Sequence, residues 1–261
     1  MIIMLDEIVA KTKERLQEAK ENKSLDELKG EVQQLEITHD FPFKKALSEP
    51  EISIIAEVKR ASPSKGLIAE DFDYVAIAKD YENAGASAIS VLTEPYFFKG
   101  SNDYLKEIAQ NVSIPILRKD FVIDEYMIWE AKLLGASAVL LIVSILSMVE
   151  LKKYLDLAHD LGLSAIVETH DATEIRTALN VGAEIIGVNN RDLTNFTVDI
   201  ENSISLRRCV SGDVIFISES GIKTPQDVSR LKENDVDAVL IGETLMKCGD
   251  KKAMMSELKN G

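Results

Sequence analysis

Eight short apolar runs, separated by charged amphipathic segments, predict an α/β fold of the closed (β/α)8 type, a TIM barrel with an N-terminal helical extension. Three observations carry that expectation. The runs are near-continuously apolar, as parallel strands are when helices cover their sheet. Several helical segments stop at a glycine that leads straight into the next strand, in Gly85-Ala86-Ser87, Gly135-Ala136-Ser137 and Gly182-Ala183-Glu184, which suits the left-handed position that closes a helix. The alternation then continues along the chain with no break in composition, which favours closure over an open doubly wound sheet.

The first fifty or so residues stand outside this repeat. Leu5–Glu21 and Leu25–Leu35 read as one or two amphipathic helices, and Phe41-Pro42-Phe43-Lys44-Lys45 leads to Pro50. They are expected to pack on the barrel as an extension, so that residues 1–261 form one domain. The first strand is Ile52–Lys59 and the helix after it Tyr74–Asn83. Ala88–Thr93 and Pro115–Lys119 follow as strands, then the helix Glu125–Leu134 and the strand Ala138–Val143. Val149–Leu161, Ser164–Glu168, Ala172–Val181 and Glu184–Asn189 continue the alternation, with Val214–Glu219, the helix Pro225–Asn234 and Asp237–Gly242 completing it.

At 261 residues, with 46% hydrophobic and 28% charged residues, the chain can bury an ordinary core. A formal net charge of −14 and a pI near 4.8 argue against nucleic acid or a membrane surface as the main partner. A small anion held in a local basic pocket stays compatible with that envelope, and a monomer is the default expectation. The two cysteines, Cys209 and Cys248, are too few and too far apart for a disulfide framework or a zinc site, which suggests a reduced setting. The amino end turns acidic at Asp6-Glu7, too soon for a signal peptide, and Ala138–Val143 is too short to span a bilayer. The expected location is the cytoplasm.

The expected carboxyl ends of the strands carry groups that packing would not choose. Glu57 and Lys59 sit two apart and leave the same face of the first strand, although each desolvated ion costs several kcal/mol before pairing recovers some of it. Lys119-Asp120-Phe121, Glu168, Asn189-Asn190-Arg191-Asp192, Ser218-Glu219-Ser220-Gly221 and Gly242-Glu243 end other strands. A single such residue is ordinarily the exposed start of a loop. So many at one end of one barrel mark a site, because barrel enzymes build theirs there. Gly221 and Gly242, each expected at a helix start after the last two strands, suit a phosphate bound by unpaired backbone N–H groups together with Glu243. His39, His159 and His170 show no ligand spacing with each other or with the cysteines, so neither a metal nor a cofactor is expected. A loop-capping role is the reading for His170, and solvated faces explain Glu150, Lys152 and Lys153.

With these residues assembled, the chain resembles the indole-3-glycerol phosphate synthase family. The motifs are Ile55-Ala56-Glu57-Val58-Lys59-Arg60-Ala61-Ser62-Pro63-Ser64-Lys65-Gly66, Val91-Leu92-Thr93-Glu94 with Phe97-Phe98-Lys99-Gly100-Ser101, and Leu117-Arg118-Lys119-Asp120-Phe121. Val167-Glu168-Thr169-His170-Asp171, Gly187-Val188-Asn189-Asn190-Arg191-Asp192-Leu193, Ser218-Glu219-Ser220-Gly221-Ile222 and Leu240-Ile241-Gly242-Glu243 follow in order.

The resemblance implies a carboxy-lyase of tryptophan biosynthesis acting on 1-(2-carboxyphenylamino)-1-deoxyribulose 5-phosphate, by ring closure, decarboxylation and dehydration. It implies Lys119 as the acid at the keto oxygen, Glu57 as its partner, Lys59 at the substrate carboxylate and Glu168 as the base of dehydration. Asn189, Arg191 and Glu219 would orient substrate and charges. Phe98, Phe121 and Leu140 would wall the aryl ring, with Ser62 and Ser220 also on the substrate. Two other readings compete: another phosphate-binding barrel such as a phosphoribosyl isomerase, and a non-catalytic binding barrel. The inward Lys59 and Lys119 argue against the first, and intact acid and base positions against the second.

Overall fold

A computed structural model describes residues 3–192 and 197–260 of the chain; Leu193 lies outside them. Eight parallel strands close into a barrel in sequence order: β1 (Ser53–Val58), β2 (Ala88–Leu92), β3 (Ile116–Lys119), β4 (Ala138–Ile142), β5 (Ser164–Thr169), β6 (Ile185–Asn189), β7 (Ile215–Glu219) and β8 (Ala238–Ile241). Each end falls within one residue of its sequence expectation. Closure is made by β1 on β8, with Ile54 opposite Val239 and Ala56 opposite Ile241. Gly85, Gly135 and Gly182 take the left-handed backbone that lets each helix turn into the next strand.

The alternation of the strands sorts the core into two layers. Ile55, Leu117, Leu140, Ile166, Ile217 and Leu240 point into the barrel, while Ile54, Val91, Val139, Val167, Val188 and Val239 point outward beneath the helices. A fully buried side chain of this size contributes roughly 1.5–3 kcal/mol. The outer layer is covered by α4 (Tyr74–Asn83), α5 (Asn102–Ala109), α6 (Glu125–Leu133), α7 (Met148–Asp160), α8 (Ala172–Asn180), α9 (Glu201–Arg207), α10 (Pro225–Lys232), α11 (Glu243–Lys247) and α12 (Lys251–Asn260). Glu150, read from sequence as a solvated charge, closes a capping box with Ser147 at the start of α7.

The extension forms α1 (Ile3–Asn22), α2 (Leu25–Val32) and α3 (Pro42–Leu47). The segment expected only to lead into the barrel is thus a short helix, and its Phe43 and Leu47 are buried with the inward layer. Pro42 at the first helical position sets that turn. Helix α1 is tied to the barrel where β3 ends. Arg15 grips the buried Asp120 carboxylate with two hydrogen bonds, of 3.0 and 2.8 Å, and Lys20 pairs with Asp124 at 2.8 Å. No helix among the described residues is long and apolar enough to cross a membrane.

Candidate active site

Every side chain singled out from sequence as a site residue lines one cleft of about 680 Å³ at the carboxyl ends of the strands. The inward face that carries Ile55 up β1 carries Glu57 next and Lys59 after it. The same period places Lys119 after Leu117, Glu168 after Ile166 and Glu219 after Ile217. The charges are therefore the top tier of a core that is apolar below them.

Lys119 is the hub. Its Nζ donates to Glu168 Oε2 at 2.7 Å and to Glu219 Oε2 at 2.9 Å. Burial works against its charge, but Glu168, Glu219 and Glu57 outweigh it and raise the lysine above its ordinary value. Burial likewise works to raise Glu168, yet Lys119, His170 and the hydrogen bonds from Lys119 and Asn189 hold it below the usual carboxylate range. Glu219 goes the other way. Burial, helped by repulsion from Glu168 and Glu57, pushes it up to about 7 in spite of Lys119. Its Oε1 is buried without a hydrogen-bond partner. One cation thus sits between an ionised carboxylate and one poised near neutrality, which is a way to keep acid and base functions side by side.

The partner expected for Lys119 is different in the structure. Glu57 forms its ion pair with Lys59, the residue just past the end of β1, while the expected Lys119 pairing with Glu57 is replaced by Glu168 and Glu219. Residues two apart share a face within reach of each other, whereas cross-barrel partners depend on strand stagger. Two glycines make room for these carboxylates. A Cβ on Gly187 of β6 would run into Glu219 Oε1, and one on Gly242 would run into the Glu57 carboxylate and Lys59. Gly242 caps α11, as expected for a phosphate-loop glycine, but Gly221 does not start a helix. It lies in a turn ahead of the α10 cap Thr224, where Ser220 (φ 69°) and Gly221 (φ 89°) are successive left-handed residues. Asn190 fixes that turn by donating to the Ser220 carbonyl at 3.0 Å and to Ser218 Oγ at 2.9 Å. Glu243 pairs with Lys247 at 2.7 Å, so its side chain is engaged away from an anion.

The aryl walls are built separately. Phe98 and Phe121 lie with ring centroids 6.0 Å apart. Buried Glu94 holds the Phe98 segment by accepting from the N–H groups of Tyr96, Phe97 and Phe98 at 3.0, 2.7 and 3.0 Å. Asn189 donates weakly to Glu168 Oε1 at 3.4 Å and accepts from the Arg191 N–H at 3.1 Å. Ser62 belongs to a two-residue ladder with Gly66 in the loop after β1.

Sequence reasoning missed the extension's share of the cleft, where Met4, Leu5 and Ile8 of α1 join the lining together with Lys65, Lys223 and Lys247. The amphipathic pattern of α1 shows an apolar face but not what it covers. Among the described residues no group of three or more His, Cys, Asp or Glu side chains could hold a metal ion.

A family model for indole-3-glycerol phosphate synthase matches residues 5–258. The chain is 52% identical to the indole-3-glycerol phosphate synthase of Ruminiclostridium cellulolyticum over 257 residues, 98% of this chain and 99% of that one. It is 55% identical to that of Endomicrobium trichonymphae over 258 residues, covering 99% and 100%. Among solved structures, a 3-hexulose-6-phosphate synthase superposes with a TM-score of 0.66 at 13% identity, covering 80% of this chain and 99% of that one. At that identity the likeness is one of fold.

Proposed function

The chain belongs to the indole-3-glycerol phosphate synthase family, carboxy-lyases of tryptophan biosynthesis, and we propose that its cleft closes the indole ring on 1-(2-carboxyphenylamino)-1-deoxyribulose 5-phosphate with Lys119 as the acid. The observation that supports this most is the Lys119 ammonium held 2.7 Å from Glu168 and 2.9 Å from Glu219, in one cleft with Phe98 and Phe121.

The aryl ring lies against Phe98, Phe121 and Leu140, bent so that the carbon bearing the carboxylate meets the ketone carbon. Attack places charge on the ketone oxygen, which Lys119 neutralises by giving a proton. Carbon dioxide leaves and its bonding pair restores the aromatic ring. Lys59, held by Glu57, stands opposite the departing carboxylate and then assists loss of the hydroxyl. Glu168, the ionised member of the pair, removes the methylene proton and water departs. Glu219, Asn189 and Arg191 orient these groups. The phosphate lies at Gly221 and Gly242-Glu243 through backbone N–H groups, with Ser62 and Ser220 also on the substrate. The extension works as part of the same domain, because α1 lines the cleft and Arg15 holds Asp120 beside Lys119. In this reading the enzyme acts as a cytoplasmic monomer without a cofactor.

Incubation of the purified protein with that substrate should yield indole fluorescence and one equivalent of carbon dioxide. Neither signal under conditions where the substrate binds would refute the reaction.

A further inference from the structure

The reaction proposed above has a proton balance that the cleft alone does not close. Ring closure places one proton on the ketone oxygen, and departure of the resulting hydroxyl as water needs a second. Carbon dioxide leaves uncharged, its bonding pair staying with the ring, so no proton is gained there. The base recovers one proton from the methylene carbon. Each turnover therefore draws one proton from solvent, and because Lys119 gives its proton at ring closure, before Glu168 recovers one, Lys119 is the group to be recharged while substrate fills the cleft.

Lys119 has two carboxylate branches. The Glu219 branch ends inside the protein, because Glu219 Oε1 is buried and unpartnered. The Glu168 branch continues. Glu168 Oε1 is loosely held, with its donor Asn189 at 3.4 Å, and lies 3.7 Å from His170 Nε2. That nitrogen is buried with no hydrogen-bond partner. On the other side of the ring, His170 Nδ1 lies 3.0 Å from Glu174 Oε2, in the first turn of α8, and the Glu174 side chain is 20% exposed. His170 does not line the cleft. Its ring is not needed as a helix cap either, since Asp171 accepts from the N–H groups of Thr173 and Glu174 at 2.6 and 2.9 Å.

We propose that Glu174 and His170 form a proton relay from solvent to Lys119 by way of the buried Glu168 carboxylate, supplying the proton that each turnover consumes. The imidazole, starting with its proton on Nε2, takes a proton at Nδ1 from the Glu174 side and gives the Nε2 proton to Glu168 Oε1, once a small rotation of the carboxylate closes the gap. A flip of the ring restores the starting arrangement for the next turnover. Glu168 Oε2 passes one on to Lys119 Nζ, and no bond other than N–H and O–H changes. His170 is thus a positioning residue that acts through Glu168. The charged groups facing its ring are Glu168 of β5, Glu174 of α8 and Glu219 of β7, while neutral Asn202 of α9 donates to its carbonyl at 3.3 Å. Burial works to lower the imidazole, but the hydrogen bond to Glu174 and these carboxylates raise it above its ordinary value.

The relay rests on the ring-closing reaction, and the test separates the two. In H170Q the side chain can still bond to Glu174 but cannot carry a proton. Its kcat should fall about tenfold or more, the low end for a proton-transfer group, with KM nearly unchanged. The wild-type decline of kcat as pH rises through the imidazole titration should disappear from the profile. H170A should lose a similar factor and recover it when free imidazole is added. An unchanged kcat and pH profile in H170Q, or a loss in H170A that imidazole does not restore, overturns the relay. A wild-type protein that forms no indole product fells the reaction itself, and the relay with it.

Discussion

Glu219 gives the sharpest prediction, because its environment makes the site costly to fold. Its carboxyl is pushed from the ordinary 4.5 up to about 7, first by burial and then by Glu168 and Glu57. The folded chain therefore keeps a proton that the unfolded chain has released, and stability falls as pH rises from 4.5 to about 7. A displacement of about 2.5 pH units at about 1.36 kcal/mol per unit comes to about 3 kcal/mol. The Glu219 side chain is 1% exposed, so solvent screening does not discount this much. Glu219→Gln has no proton to lose. Relative to wild type it should gain about 2 kcal/mol between about pH 5.5 and pH 8, the part of the window clear of the isoelectric point. Glu168 and Asp120, whose pKa values are lowered, contribute stability that is lost only as pH falls through the acid range, so they stay constant here, and His170, raised above its ordinary value, titrates in both proteins and is removed by taking the difference. Urea unfolding of both proteins at the two pH values reads the change directly. Turnover should fall in the same variant, as Lys119 loses an anionic partner. A stability difference independent of pH would refute this account of Glu219.

Gly242→Ala should lower kcat and raise KM together in steady-state assays, because the added methyl meets both the Glu57 carboxylate and Lys59; an effect on KM alone would contradict that packing. Arg15→Met leaves Asp120 buried with Arg118 at 3.5 Å and the hydrogen bonds from Thr93 and the Phe121 N–H. The cost at neutral pH should be about 1–3 kcal/mol, below that of a fully orphaned buried charge. Asp120 is held below its ordinary range, so that cost should shrink as pH falls through its unfolded value, as thermal unfolding at neutral and acid pH can check. Exhaustive chelation should leave turnover intact, and a loss restored by a divalent ion would show a metal requirement.

The barrel was legible because its two signals are local. A buried parallel strand is a short apolar run, and the period of two fixes which residues share a face, so Glu57 and Lys59 could be oriented before any packing was known. Pairings across the barrel were not legible. Whether Lys119 meets Glu57 or Glu168 depends on strand stagger and on the room left by Gly187 and Gly242, neither of which has a local signature. The extension was legible as helix but not as function. Arg15 and Asp120 are 105 residues apart in sequence, and nothing near Arg15 announces a buried partner. Phe43 sits in a segment that turn residues mark as a lead-in, yet it is fully buried beside Ile55. His170 could be seen to follow Glu168, but its second partner, Glu174, became visible only once α8 was placed against the end of β5.

Lys119 acts at ring closure and Glu168 at dehydration in the proposed mechanism, although the two side chains touch at 2.7 Å. Quenched single-turnover mixtures of Lys119→Met and Glu168→Gln, with carbon dioxide release followed alongside, test it most directly. Lys119→Met should leave substrate bound and intact with no carbon dioxide released. Glu168→Gln should be slowed by about 10²-fold or more while releasing carbon dioxide and accumulating a decarboxylated, undehydrated intermediate. If both variants stall with only starting substrate present, the two residues serve one step and the division of labour is wrong.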